Sequence, residues 1–207
     1  PKLDSVVFQS KLGTMGAKVR RLESNARALA EWAGADAGAS QAAAHICKAD
    51  LETLIVYEFP ELQGEMGRWY ALREGMEPAV ANAIRDHYRP QGADDVVPDE
   101  LVSAVVAVAD RMDTLVGCFG IGLVPSGSAD PFALRRAALG IIRIALEGLL
   151  DIDVRALVDQ AYGAYEGDAE LRPNEEVRAS LGEFFRGRIR AMLKDQHGGD
   201  VVDACLG

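Results

Sequence analysis

Residues 99–118, DELVSAVVAVADRMDTLVGC, decide the fold of this chain. The large apolar side chains of the segment recur every three or four residues, which is the spacing of one face of an α-helix. They are Leu101, Val105, Val108, Met112, Leu115 and Val116. Asp110 and Asp113 lie one turn apart on the same predicted helix and could present two carboxylates together. The segment therefore predicts a long, apolar helix.

The same helical spacing marks the segments on both sides of this one. Before it we predict four helices, over residues 5–32, 40–59, 60–75 and 77–88, with Ser40 as the N-cap of the second. After it, a Gly- and Pro-rich turn region over 117–131 precedes predicted helices over 131–150, 153–165, 174–194 and 200–206. We find no alternating strand pattern and no internal repeat. The predicted class is all-α, a bundle of about nine helices.

The sequence gives a weak signal for a boundary between two groups of predicted helices near residue 150. Residues 1–150 would form the helical core, and residues 151–207 would add C-terminal helices packed on the same domain.

The composition agrees with a helical protein and disfavours a simple polyanion binder. Of the 207 residues, 32 are alanine, the best helix former, and only 6% are aromatic. Lys and Arg number 22 against 32 Asp and Glu, which gives a net charge of −10. A domain that binds nucleic acid through charge alone should be basic. Any nucleic-acid role must therefore depend on a local cluster of cations.

The cysteines and the chain ends indicate a reducing compartment and no membrane anchor. Cys47, Cys118 and Cys205 are widely spaced and form no CxxC pair, so we interpret them as small apolar residues. The apolar stretches near the termini are far shorter than the roughly 20 residues needed to cross a bilayer, and no charged-then-apolar leader is present. Because the chain begins with Pro1, we interpret it as an internal segment of a longer protein.

Patterns of catalytic residues are scarce. His45, His87 and His197 belong to no HExxH motif and no His-Asp pair. No His and Asp residues are spaced relative to Ser126 and Ser128 in a way that indicates a catalytic triad. The Gly120-Ile121-Gly122 segment could cradle a phosphate before the next helix, but a tight connection between two helices is the simpler interpretation.

The arginines are more informative, because Arg outnumbers Lys by 17 to 5. Arg135 and Arg136 fall in the first turns of a predicted helix, where positive charge is unfavourable for the helix dipole. Arg143 follows Arg136 by seven residues, so these two share a face. A second set comprises Arg186, Arg188, Arg190 and Lys194. Arginine suits phosphate recognition, whereas the surplus of acidic residues also allows an ion-paired, solvated surface.

Several longer strings resemble one family closely. In chain order they are VF (7–8), KLGTM (11–15), KADLET (48–53), EFPELQG (58–64), MGRWYA (66–71), ADRMDTLVG (109–117), FGIG (119–122), PSG (125–127) and DPFALRRAA (130–138). These strings resemble the β subunit of the bacterial heterotetrameric glycyl-tRNA synthetase. The resemblance is strong over roughly residues 5–145 and looser over the remainder.

The resemblance implies a function for the whole enzyme and a place for this region in it. The family's β subunit acts with a separate α subunit, in a tetramer of two α and two β subunits, to attach glycine to tRNA(Gly) in the cytoplasm. ATP and Mg would belong to the active site of the α subunit, and this region would need no cofactor and bind no membrane. It would be the central helical region, similar to an HD-type domain, and it would be expected to contact the acceptor end of the tRNA.

The resemblance also implies a domain without metal chemistry. HD-type phosphohydrolases use an adjacent His-Asp pair, whereas this chain has Lys48-Ala49-Asp50 where that pair would fall. Asp50 and Asp110 are then degenerate remnants of a metal site, and the charge of Lys48 would oppose a divalent ion.

Five basic residues are the candidates for contact with tRNA. Arg135 and Arg136 match a family string and follow the Gly-rich turn, so they come first. Arg68, Lys48 and Arg111 come second, because each could instead pair with Asp50, Asp110 or Asp113 inside the domain.

Two other functions stay open at this point. One is a surviving metal-dependent HD-type phosphohydrolase that uses His45, Asp50 and Asp110. The other is a purely structural module that organises the subunit and touches no RNA.

Overall fold

The computed structural model describes residues 2–92, 94–194 and 197–206. Its centre is helix α6, Leu101–Gly120, which is buried along nearly its whole length. This is the segment whose apolar spacing predicted a long helix. Val105, Leu115 and Val116 are completely inaccessible to solvent, because neighbouring helices cover α6 on several sides.

The chain begins with a small irregular region that leads into helix α1. A 3₁₀ turn over Lys2–Ser5 precedes two short antiparallel strands, β1 (Val7–Gln9) and β2 (Gly13–Thr14), and α1 spans Met15–Ala33. The hydroxyl of Thr14 accepts a hydrogen bond from the Ala17 amide and caps α1. The helix predicted over 5–32 is therefore wrong before Met15, because strands of three and two residues are too short to show alternation.

The segment between α1 and α5 is more broken than predicted. It contains α2 (Ala37–Ile46), a 3₁₀ turn (Ala49–Glu52), α3 (Leu54–Glu58), a second 3₁₀ turn (Pro60–Leu62) and α4 (Glu65–Arg73). The single helix predicted over 40–59 is therefore wrong, and so is Ser40 as its N-cap. Asp36 caps α2 instead, by accepting a hydrogen bond from the Ala39 amide.

The remaining helices follow the predicted order. They are α5 (Pro78–Asp86), α7 (Leu134–Leu146), α8 (Val154–Gly163), α9 (Asn174–Lys194) and α10 (Gly199–Leu206). Helix α7 begins three residues later than the predicted start at Pro131, because the carboxylate of Asp130 accepts hydrogen bonds from the amides of Leu134 and Arg135.

The helices share one hydrophobic core around α6. Helices α1, α2, α5, α7, α8 and α9 all contact α6, and Leu157, Leu181 and Phe185 from the C-terminal part lie in the same core as the N-terminal helices. The predicted all-α class is confirmed, with ten α-helices in the described residues. The likeness to an HD-type domain and the division near residue 150 stay predictions. Within the same ranges, no helix is long and apolar enough to span a membrane.

Candidate functional site

A buried cluster of charged side chains lies where α1 and α8 cross α6. The carboxylate of Asp113, on α6, is fully buried and accepts from Lys18 Nζ at 3.0 Å and from Arg21 Nε at 2.7 Å. The Tyr165 hydroxyl lies 2.9 Å from the Asp113 backbone carbonyl, to which it donates. The Arg21 guanidinium lies 3.9 Å from the centre of the Tyr165 ring and also pairs with Asp168. This network joins three parts of the chain that are far apart in sequence.

One turn earlier on α6, Asp110 stands between two ammonium groups. Lys18 Nζ lies 2.9 Å from one carboxylate oxygen, and Lys48 Nζ lies 2.7 Å from the other. Burial alone would raise the pKa of Asp110, but the charges of Lys18 and Lys48 hold that pKa well below its usual range. Burial alone would likewise lower the pKa of Lys48, but the Asp110 carboxylate raises it above its ordinary value. Both partners therefore stay charged.

His87 completes this part of the cluster as a neutral group. Its Nδ1 donates to the carbonyl of Ile84 at 2.7 Å, so its Nε2 carries no proton and accepts from the Lys48 ammonium at 2.8 Å. Burial and the charge of Lys48 hold the pKa of His87 well below 6.5. The histidine is a hydrogen-bond acceptor for a fixed cation.

The carboxylates of the cluster, Asp110, Asp113 and Asp168, are balanced by an equal number of cations. Three cations, Lys18, Arg21 and Lys48, surround the carboxylates of Asp110 and Asp113. An added divalent ion would meet strong repulsion from these three cations. Among the described residues, no group of three or more His, Cys, Asp or Glu side chains could hold a metal ion.

The other two residues of the phosphohydrolase hypothesis lie elsewhere. Asp50 accepts hydrogen bonds from the backbone amides of Gly64 and Gly67, at 2.7 and 3.3 Å, and so holds the start of α4. His45 lies on the surface and pairs with Glu23. His45, Asp50 and Asp110 therefore have separate partners and form no common ligand set.

Arg111 organises the loop that follows α5. Its guanidinium donates to the carbonyls of His87, Tyr88 and Pro90, at 2.7, 2.8 and 3.1 Å. Burial lowers its pKa to about 10. Arg111 also lines a surface cleft of about 420 Å³ with Tyr88, Phe132 and Arg136. We call this the α6–α7 cleft.

The predicted tRNA-contacting residues fall into three environments. Lys48 is only 4% exposed, and it lies behind Tyr88, 4.2 Å from the centre of that ring. Arg135 is half-buried and donates to the carbonyl of Gly127 at 2.7 Å, and Arg68 donates to Asn82 at 2.8 Å. Arg136 is exposed, and no ion pair or side-chain hydrogen bond engages it within the described residues. The structure thus brings Arg111 and Arg136 to one cleft and leaves Arg68 and Arg135 outside its lining.

Sequence reasoning missed Lys18, Arg21, His87 and Tyr165 as members of the buried cluster. A signal for two of them exists, because Lys18 and Arg21 are three residues apart and alternate with the apolar Val19 and Leu22 on α1. Cations on the apolar face of a helix are expected to have buried acidic partners.

Comparison with known proteins agrees with this arrangement of motifs. The family model described as glycyl-tRNA synthetase beta subunit matches residues 1–207. A glycine–tRNA ligase beta subunit of Desulforamulus reducens is 47% identical over 209 residues, covering 99% of this chain and 30% of the relative. The corresponding subunit of Neisseria gonorrhoeae is 42% identical over 206 residues, covering 100% of this chain and 29% of the relative.

A third relative matches over the same extent. The Picosynechococcus subunit is 47% identical over 212 residues, again covering 100% of this chain and 30% of the relative. The chain therefore spans about three-tenths of the length of the curated relatives it matches. It belongs to the glycyl-tRNA synthetase beta subunit family.

Proposed function

We propose that this chain is part of the β subunit of a glycine–tRNA ligase, which attaches glycine to tRNA(Gly) with ATP. Family membership over the whole chain supports the proposal. The subunit would act in the cytoplasm with an α subunit, in a tetramer of two α and two β subunits. The reacting ATP, with its Mg²⁺, would lie on the α subunit. This region would support the reaction without taking part in its chemistry.

Within that enzyme, we assign this region a contact with the tRNA backbone through Arg136. The observation that carries the assignment is the exposed guanidinium of Arg136 at the start of α7, which no ion pair or side-chain hydrogen bond engages within the described residues. In a chain of net charge −10, half of the exposed arginines have acidic partners within the described residues, as Arg20 has Asp4 and Arg190 has Asp203. A guanidinium without such a partner keeps all of its donors available for phosphate.

The other four candidates would contribute less directly. Arg135 positions the 127–129 loop beside Arg136, and Arg111 positions the loop after α5 at the edge of the α6–α7 cleft. Lys48 supports Tyr88 from behind. Arg68 keeps part of its guanidinium available for RNA while it donates to Asn82.

The test is glycine charging by the reconstituted tetramer that carries Arg136→Ala. Loss of one charged phosphate contact should raise the KM for tRNA by about tenfold and lower the salt slope of binding by about 1. Arg27→Ala, which removes an exposed arginine of α1, is the control with the same charge change. An unchanged KM for tRNA and an unchanged turnover in Arg136→Ala would refute the assignment.

A purely structural role for this region is supported by the exposed surface of the segment that joins α2 to α5 in the chain. Seven large apolar side chains are exposed within residues 54–76: Leu54, Tyr57, Phe59, Trp69, Tyr70, Leu72 and Met76. Such a concentration is typical of surfaces that contact another protein part. Crosslinking of the whole enzyme to tRNA separates the two roles, because a purely structural module would give no crosslinks between this region and RNA.

A further inference from the structure

A second cleft lies beside the first, between α7 and α9. Its volume is about 620 Å³, which falls within the usual size range for small-molecule sites. Leu139 and Leu146 from α7 and Met192 from α9 form its apolar walls. We call this the α7–α9 cleft.

The two clefts adjoin at one arginine. Pro90 and Arg136 line both of them, so the unengaged guanidinium of Arg136 stands at their common edge. On one side of it are the apolar walls of the α7–α9 cleft, and on the other are the rings of Tyr88 and Phe132. Arg136 therefore places a positive charge between two partly apolar clefts.

The charges of the α7–α9 cleft favour an anionic ligand. Arg136, Arg143 and Arg188 line it together with one carboxylate, Glu147, which pairs with Arg143 at 2.8 Å. Among the described residues, the Nε of Arg188 is buried and has no hydrogen-bond partner, and its guanidinium lies 5.2 Å from the centre of the Phe184 ring. In the part of the chain that the structure describes, the guanidinium groups of Arg136 and Arg188 are thus left for a ligand, in a protein that is acidic overall.

We propose that the two clefts receive successive unpaired nucleotides of the tRNA, with the intervening phosphate on Arg136. This inference rests on the proposed function and specifies which part of the RNA is bound. Unpaired bases can leave the stack and lie against apolar, aromatic or guanidinium surfaces, whereas bases in a duplex are unavailable for such contacts. Two successive nucleotides present a base, a phosphate and a second base in that order. The molecule presents a cleft, Arg136 and a second cleft in the same order.

The experiment combines Arg136→Ala with shortened tRNAs in the reconstituted tetramer, and it measures equilibrium binding. Three RNAs are compared: intact tRNA(Gly), the same tRNA without its unpaired 3′-terminal nucleotides, and a blunt-ended acceptor-stem duplex that has no loop. The substitution should weaken binding of intact tRNA by about tenfold. It should have no further effect on whichever RNA lacks the unpaired stretch that the clefts bind.

Each result separates this inference from the function on which it rests. An equal effect of Arg136→Ala on all three RNAs would place the arginine on duplex backbone, which overturns the inference and leaves the proposed tRNA contact standing. If Arg136→Ala has no effect on the binding of any of the three RNAs, both the inference and the proposed tRNA contact are refuted. Loss of the effect with one or both shortened RNAs supports the inference and identifies the stretch.

A second variant tests the occupancy of the α7–α9 cleft itself. Leu146→Glu places a carboxylate in the cleft at a residue that is 60% exposed, so the change should not disturb folding. Val201→Glu, at an α10 residue that is 61% exposed and outside both clefts, is the matched control. Leu146→Glu should weaken binding of intact tRNA by at least about fivefold more than Val201→Glu. Equal affinities of the two variants would overturn the inference.

Discussion

The Lys48 ammonium lies 2.8 Å from Nε2 of His87, and the histidine accepts the hydrogen bond because its Nδ1 already donates to Ile84. A buried histidine beside a buried lysine is stable only while the histidine is neutral. Asp110 balances the lysine from the other side at 2.7 Å. The stability of the domain therefore depends on the charge states of these groups.

Removing the Lys48 ammonium should strongly destabilise the domain. Lys48→Met leaves Nε2 of His87 without a donor and leaves Asp110 with Lys18 as its one remaining ammonium partner. Breaking a buried ion pair from one side typically costs about 3 to 5 kcal/mol in the free energy of unfolding. Urea unfolding of the chain measures this, with Lys11→Met, at an exposed lysine, as the control. A loss below about 1 kcal/mol would show that the pair adds little.

The depressed pKa of His87 predicts a loss of stability on acidification. Because the folded state binds this proton only well below pH 6.5, the unfolded state takes it up first as the pH falls. The contribution is complete above pH 6.5 and declines below it by up to about 1.4 kcal/mol per pH unit. The lowered pKa of Asp110 acts in the same direction, but only below about pH 4.

Urea midpoints between pH 7.5 and 4.5 measure this dependence. His87→Gln should flatten it, while His45→Gln, at the surface histidine that pairs with Glu23, should leave the wild-type slope in place. An identical slope in wild type and His87→Gln would contradict the prediction.

Two glycine substitutions should have opposite effects on stability. A Cβ at Gly117 would overlap the Tyr165 hydroxyl and approach Leu12 Cδ1 to 2.9 Å, so Gly117→Ala should destabilise the fold by about 1 to 3 kcal/mol. At Gly187, in the interior of α9, no atom of the described residues lies within 4 Å of such a Cβ. Gly187→Ala should therefore stabilise by about 0.5 to 1 kcal/mol through the better helix propensity of alanine. Thermal unfolding distinguishes the two signs.

The neighbouring arginines at the start of α7 should differ in what they do for stability. Arg135→Ala removes hydrogen bonds to the carbonyls of Gly127 and Ala129 and should cost about 1 kcal/mol. Arg136→Ala removes an exposed side chain and should change the free energy of unfolding by less than about 0.5 kcal/mol. Equal losses in urea unfolding would show that Arg136 has a structural partner.

The sequence predicted the helices whose apolar spacing is regular and failed where polar side chains redirect the chain. Apolar spacing identified α6, α8 and α9, because α6 is apolar on all the sides that its neighbours cover, and α8 and α9 each bury one continuous face. The predicted helix over 40–59 fails because Lys48 and Asp50 both point inward. Residues two apart on an α-helix point to nearly opposite sides, so the chain must leave the helical path there.

The candidate site could be predicted only in part. The strings shared with the family indicated Arg135 and Arg136 as candidates. They could not show that the Arg135 guanidinium donates to Gly127, or that the Arg136 guanidinium has no side-chain partner within the described residues. Pairing across the fold is equally invisible in sequence, since Lys18 and Asp110 are 92 residues apart. The clefts depend on how α7 meets α6 and α9, which local spacing does not encode.

The cation between His87 and Asp110 is covalently attached to the polypeptide. Unlike a bound metal ion, the ammonium of Lys48 cannot dissociate, be extracted by a chelator or be exchanged for a competing ion. It is supplied at translation in a fixed ratio of one per chain, whatever the supply of trace elements in the cell. An assembly built on this scaffold is therefore insulated, at this position, from fluctuations in metal supply.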